Sequence, residues 1–256
     1  MTPESTVRSE LRGDGVLVVT LDKPPANAID ERLLRDLLAC VRDAERDEGA
    51  RAVVVTGAGA LFSGGFDFAV PRREDAVALD LYDLYQESHL ALLTLSKPTV
   101  AMVNGHAIAG GLVLALACDV RLARRCGDRF GFNEVAVGAS FPRAAFEIVR
   151  LRLTHAAASE LLLGAALYPF ADGLRLGVFD ELIDGPELEQ VTLARAARLG
   201  AYPREAYAHT KAALVAAAAA RIRAETPEDA LRTMSVWITD ESRAARRRQR
   251  EKLKLA

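Results

Sequence analysis

Three stretches of this 256-residue chain carry residue types that could hold negative charge and move a proton. The first is Asn104-Gly105-His106-Ala107-Ile108-Ala109-Gly110-Gly111. It stands between an apolar segment, Pro98 to Val103, and a run from Leu112 to Cys118 that is apolar on every side. Strand, small-residue turn and buried helix is the simplest reading. The first N–H groups of such a helix have no intrahelical acceptor, and the helix dipole adds positive character there. Glycine lets a ligand oxygen come close to the backbone, which is what an oxyanion hole needs. A Gly-Gly pair before a buried helix also serves as plain close packing. The second stretch, Leu61 to Phe68, repeats the pattern with Gly64-Gly65-Phe66 behind another apolar strand, Ala52 to Gly57. The third is Glu134, a carboxylate in a strand–turn context, which reads either as a general base or as a strand-end acid paired with a surface arginine.

The elements that must position these residues read as an α/β chain. Val7 to Leu11 and Val16 to Leu21 form a hairpin around Gly13-Asp14-Gly15. After a loop, Lys23 to Ala28, Asp30 caps a helix reaching about Asp47, with Leu33, Leu34, Leu37, Leu38 and Val41 inward. A strand at Ala52 to Thr56 completes a βαβ unit, which implies a parallel, buried sheet. Glu74 to Leu95 is helical, with Leu79, Tyr82, Leu84, Tyr85 and Leu92 as core candidates. Val120 to Ala123, Arg129 to Phe132 and Leu182-Ile183 read as short strands. Helices follow at Ala144 to Leu153, Thr154 to Leu163, Glu187 to Leu199, Arg204 to Glu225 and Glu228 to Lys252. The Ala-rich run at 212–220 is read as helix, since alanine is the best helix former.

Nucleotide motifs fail on inspection. Gly57-Ala58-Gly59 has Phe62 where the third glycine of GxGxxG should stand. Gly59 to Gly64 has Walker spacing, but Gly65-Phe66 follows where Lys and Ser or Thr are required.

Taken together, Pro25-Ala26-Asn27-Ala28, Phe62 to Phe68, Asn104 to Asp119, Phe130-Gly131-Phe132-Asn133-Glu134 and Ala171 to Asp180 resemble the crotonase (enoyl-CoA hydratase/isomerase) superfamily in order and spacing. The resemblance covers roughly residues 10 to 200 and, more loosely, the C-terminal helices. It implies a crotonase-like (ClpP/crotonase) spiral of ββα repeats with two nearly perpendicular sheets. Residues 1–200 would form the core with the site, and residues 201–256 a helical region for oligomerisation or for covering the site. It also implies a homotrimer or hexamer.

By the same resemblance the oxyanion donors are the N–H groups of Phe66 and Gly110, and the base is Glu134. CoA, as part of a thioester substrate and not as a bound cofactor, lies along Ala26, Ala28, Gly64, Gly65, Asp67 and Phe68. Hydratases of the family carry a second glutamate three residues after the second oxyanion glycine. Here that position is Val113. Splitting water uses two carboxylates, whereas moving a double bond needs one base. Val137-Gly138-Ala139-Ser140-Phe141-Pro142 is bulkier than the hydratase turn and is similar to mitochondrial Δ3,Δ2-enoyl-CoA isomerases. The expected activity is therefore a 3-enoyl-CoA to 2-enoyl-CoA isomerase. A hydratase, or another acyl-CoA lyase or hydrolase, is the alternative, with Asp80, Glu87 or Glu147 supplying the second group. A non-catalytic acyl-CoA- or RNA-binding member is the third reading. Burial against Val113 and Phe141 is expected to raise the pKa of Glu134.

Composition narrows the partners. A net charge of −2 gives no global bias toward nucleic acid or an anionic membrane. No window of 18 apolar residues suggests a membrane span, and the N-terminus lacks the form of a signal peptide. Cys40, Cys118 and Cys126 read as reduced residues of a cytoplasmic protein. His89, His106, His155 and His209 are scattered, so no metal is expected, and His106 reads as a turn residue. Arg243, Arg246, Arg247, Arg248 and Arg250 read as a solvated helix face, or as contacts to CoA phosphates or RNA.

Overall fold

The computed structural model describes residues 5–66 and 76–254. The hairpin forms as expected, β1 (Val7–Leu11) against β2 (Val16–Leu21). Helix α1 (Glu31–Arg46) follows, with Asp30 accepting from the Leu33 N–H as its N-cap. Then come β3 (Ala52–Gly57), β4 (Leu61–Ser63) and α2 (Ala76–Thr94); the expected start of α2 at Glu74 and the Leu79 side chain lie outside the described residues. Next are β5 (Thr99–Val103), β6 (His106–Ile108), α3 (Gly110–Ala117), β7 (Val120–Arg124) and β8 (Arg129–Gly131). The chain continues through α4 (Arg143–Arg152), α5 (His155–Gly164), β9 (Leu167–Pro169), β10 (Glu181–Ile183) and α6 (Leu188–Gly200). It ends in α7 (Arg204–Arg223), α8 (Pro227–Trp237) and α9 (Asp240–Lys254).

The strands divide between two sheets. One has the order β1-β2-β3-β5-β7-β10, parallel except for the first pair. The other has the order β4-β6-β8-β9, parallel except for the last pair. After β3, β5 and β7 the chain steps from the large sheet to the small one and then into a helix. That repeat is the crotonase-like ββα spiral.

The even and odd residues of β3 explain its unbroken apolar run. Val53 and Val55 join the main core with α1, α2 and α3, while Ala52 and Val54 join a second cluster with Leu188 and Ala196 of α6. A parallel sheet covered on both faces needs apolar residues at both parities. Helix α3 is buried along its whole length. An uncapped, uncharged helix of this kind is stable only inside a core.

Two expectations change. Two strands of the small sheet differ from the reading: Leu61–Ser63 and His106–Ile108 read as turn, yet both are strands. Three residues carry no period to read, and their pairing is non-local. The single helix expected from Glu228 to Lys252 is broken at Ile238-Thr239. Thr239 Oγ1 accepts from Ser242 N–H at 3.2 Å, so the hydroxyl caps a new helix where the old one could have continued.

Candidate active site

The small sheet brings the three stretches together. β4, β6 and β8 are adjacent and parallel, with Ser63 beside Ala107 and Ile108 beside Gly131. Gly64-Gly65-Phe66, Ala109-Gly110-Gly111 and Phe132-Asn133-Glu134 therefore leave the same edge, at the carboxyl ends of parallel strands, where α/β sheets place ligands.

The two glycine turns pack face to face. Gly65 has φ +80°, and a methyl on it would lie 2.7 Å from Ile108 O, 2.8 Å from Ala109 Cβ and 3.4 Å from Gly110 N. A methyl on Gly111 would meet Ser63 at 2.6 Å. Ala109 precedes the helix with φ 53° and ψ −129°, a conformation that costs a non-glycine residue about 1–3 kcal/mol. Its N–H is held by Gly131 O at 2.8 Å. The Gly110 N–H, first of α3, has no intrahelical acceptor. Ile29 N–H donates to Gly65 O at 2.7 Å in a parallel bridge with Phe66. Parallel pairing alternates direction along the strand, so the Phe66 N–H turns away from Ile29.

The loop before α1 is tied to the same turn. Gly64 N–H donates to Ala26 O at 2.9 Å, and Ser63 Oγ donates to Asn27 O at 2.8 Å. Asn27 is buried and its amide donates to Ala58 O and Leu61 O. Ala26 and Ala28 are half-buried at this rim. Asp67 and Phe68 lie outside the described residues.

Glu134 begins a 3-10 turn, Val135–Val137, directly after β8. It is buried, and its Oε2 has no hydrogen-bond partner among the described residues. Burial pushes its pKa up to about 7 from the ordinary 4.5, and the Glu134 and Asn133 backbone pulls weakly the other way. The expected wall of Val113 and Phe141 is corrected. Val113 is buried in the main core, and Phe141 packs edge-on against Phe132. The cavity at Glu134 is walled by Phe66, Tyr85, Val137, Pro142 and Trp237, and holds about 20 Å³, room for about one water.

Tyr85 and Trp237 were not singled out from sequence as site residues. Phe66 stacks on Tyr85 at 5.1 Å and meets Trp237 edge-on at 5.9 Å. The Trp237 indole N–H is 2.9 Å from both Ser140 O and Ser140 Oγ, and Ser140 Oγ donates to Thr233 O at 2.7 Å. Arg246 donates to Trp237 O, and Gly138 abuts Ser242. Helices α8 and α9 thus hold the turn after Glu134, which gives Arg246 a packing role within the basic strip. His89 stacks under Tyr85 at 3.8 Å, and burial lowers its pKa to about 4, so the ring is neutral. The signal for Tyr85 was a polar tip on the buried face of α2; Trp237 left none.

The other carboxylates considered do not line the cavity. Glu147 is buried against Arg221 at 2.6 Å, Glu87 pairs with Arg42, and Asp80 is exposed. His106 is structural: Nδ1 accepts from Arg129 N–H at 2.9 Å and Nε2 faces Asp128 at 3.2 Å. Among the described residues no group of three His, Cys, Asp or Glu could hold a metal, and no helix is long and apolar enough to cross a membrane.

Comparison with known proteins gives the family and the fold. The family described as enoyl-CoA hydratase/isomerase matches residues 12–255. The human protein named enoyl-CoA delta isomerase 1, mitochondrial, is 28% identical over 248 residues, covering 94% of this chain and 81% of that protein. The crystal structure of human mitochondrial delta3-delta2-enoyl-CoA isomerase superposes with a TM-score of 0.92 at 27% identity, covering 97% of this chain and 98% of that one. An enoyl-CoA hydratase from Mycobacterium marinum superposes with a TM-score of 0.78 at 29% identity, covering 86% and 95%.

Proposed function

The chain belongs to the enoyl-CoA hydratase/isomerase family, and from that premise we propose that it moves the double bond of a 3-enoyl-CoA to the 2-position, with Glu134 as its single acid/base. The thioester oxygen binds the N–H groups of Phe66 and Gly110. The Glu134 carboxylate takes a proton from C2. The electron pair left behind delocalises onto the thioester oxygen, where each preorganised donor is worth about 3 kcal/mol. The protonated Glu134 then returns its proton at C4 as the enolate collapses to the conjugated 2-enoyl thioester. Atoms and charge balance, and the base is restored.

One observation carries the choice of isomerase: Glu134 is the only carboxylate among the described residues lining the cavity. Hydration would need a second group to hold and split water. The other polar residues that line it, Asn133, Ser140 and Tyr85, bring no second carboxylate, and the residue one turn into α3 is the buried Val113. Burial that lifts the Glu134 pKa to about 7 suits a group that must both accept and return a proton.

CoA is held as part of the substrate by the rim of Ala26, Ala28, Gly64 and Gly65, together with Asp67 and Phe68. Residues 201–256 act as the cover: Trp237 of α8 stands against Phe66 over a cavity of about 20 Å³, so Phe66 and Trp237 part to admit an acyl chain. Family resemblance adds a homotrimer or hexamer, which sedimentation velocity tests. The activity is tested by offering the purified protein 3-enoyl-CoA and 2-enoyl-CoA separately and following the conjugated thioester.

A further inference from the structure

Tyr85 is buried, yet its side chain faces the cavity that Glu134 faces. Its position relative to the oxyanion turn is tight: a methyl on Gly110 would lie 3.4 Å from Tyr85 Cε2 and 3.7 Å from the Tyr85 hydroxyl oxygen. The ring is clamped, with Phe66 stacked on it at 5.1 Å and His89 at 3.8 Å. His89 is itself fixed, since its Nδ1–H donates to Tyr85 O at 2.8 Å. The Tyr85 carbonyl also accepts from Ser88 Oγ at 3.1 Å. Among the described residues no hydrogen bond uses the Tyr85 hydroxyl. The phenol thus borders the cavity beside the α3 N-terminus, held there by ring packing on both faces.

We propose that the Tyr85 hydroxyl is a third hydrogen-bond donor to the substrate's thioester oxygen, beside the Gly110 and Phe66 N–H groups. This rests on the acyl-CoA reading above and adds a catalytic residue to it. Burial, with Glu134 adding to it, raises the Tyr85 pKa well above its ordinary value, so the phenol keeps its proton and serves only as a donor. The proton is shared and not transferred: the enolate oxygen accepts the hydrogen bond as charge develops and releases it as the double bond re-forms. Clamping between Phe66 and His89 means that little freedom is lost when the bond forms, which is how preorganised donors gain their effect.

Tyr85→Phe removes the hydroxyl and leaves both ring stacks. The expected result is a fall in kcat of about 10²-fold, with KM and thermal stability little changed, since no hydrogen bond among the described residues is lost. A second readout is independent of turnover. A 2,4-dienoyl-CoA bound to Glu134→Gln should absorb at longer wavelength than in water, because the donors polarise its carbonyl. Adding Tyr85→Phe should cut that red shift. Unchanged kcat with an unchanged red shift overturns the role of Tyr85 while leaving the isomerase reading in place. A lower kcat with an unchanged red shift and a displaced pH profile would mean that Tyr85 serves Glu134 instead, and also overturns it. If the wild type is inactive on enoyl-CoAs but the red shift still depends on Tyr85, the isomerase reading fails and the donor stands. No binding of any acyl-CoA overturns both.

Discussion

Gly65 and Gly110, 45 positions apart in the chain, stand so close that a methyl on Gly65 would sit 3.4 Å from the Gly110 nitrogen. The contact fixes the spacing of the two N–H groups assigned to the thioester oxygen, because Phe66 follows Gly65 directly. Gly65→Ala would push its Cβ into Ile108 O and Ala109 Cβ from a left-handed backbone. We expect kcat to fall by about 10²–10³-fold, the loss of one oxyanion donor, with destabilisation of about 1–3 kcal/mol. Steady-state kinetics and chemical denaturation check both.

Trp237 ties α8 to Ser140 and closes the cavity against Phe66. Trp237→Ala should open that end. The ratio of kcat/KM for long over short 3-enoyl-CoAs should rise by roughly tenfold or more, the scale of a pocket gaining room for methylenes. Acyl-CoAs graded in length measure it.

With its pKa raised to about 7, Glu134 should set the acid limb of the pH profile. In the proposed reaction its carboxylate is the base, so kcat/KM should rise as pH increases through about 7 and then level off. A limb near 4.5 would mean that the carboxyl is not buried when it works.

The same burial has a signed effect on stability. A carboxyl whose folded pKa lies above its ordinary 4.5 favours the folded state when protonated. It therefore costs nothing below about 4.5, and the cost grows as pH rises through about 7. Glu134→Gln should raise stability at pH 8 by up to about 3 kcal/mol and change it little at pH 4.5. Denaturation curves at the two pH values test this.

How much of this was legible in the sequence depended on period and length. The all-apolar β3 and α3 announced a parallel, doubly covered sheet and a buried helix, and Asp30 marked the start of α1. Gly64-Gly65, Gly110-Gly111 and Glu134 stood out as residue types fit for the chemistry. The resemblance implied a second sheet and Arg129 to Phe132 read as a strand, but β4, β6 and β9, each three residues long and paired with distant partners, carried no period to read. Tyr85 looked like another core residue of α2, since sequence spacing cannot distinguish a ring packed in the core from one whose hydroxyl reaches a cavity. Trp237, the last residue of α8, lay inside a helix whose pattern gave no sign of the site. Val113 and Phe141, expected beside Glu134, belong to the packing around it.

The most direct test of the account gives wild type and Glu134→Gln a 3-enoyl-CoA and, separately, a 2-enoyl-CoA, with binding of each measured by calorimetry. The wild type should build conjugated thioester from the 3-enoyl substrate and leave the 2-enoyl substrate unhydrated. Glu134→Gln should bind both and lose isomerisation by about 10²–10⁴-fold, the contribution of a positioned acid/base. Hydration of the 2-enoyl substrate by the wild type, or isomerisation surviving in Glu134→Gln, would contradict a single-glutamate isomerase.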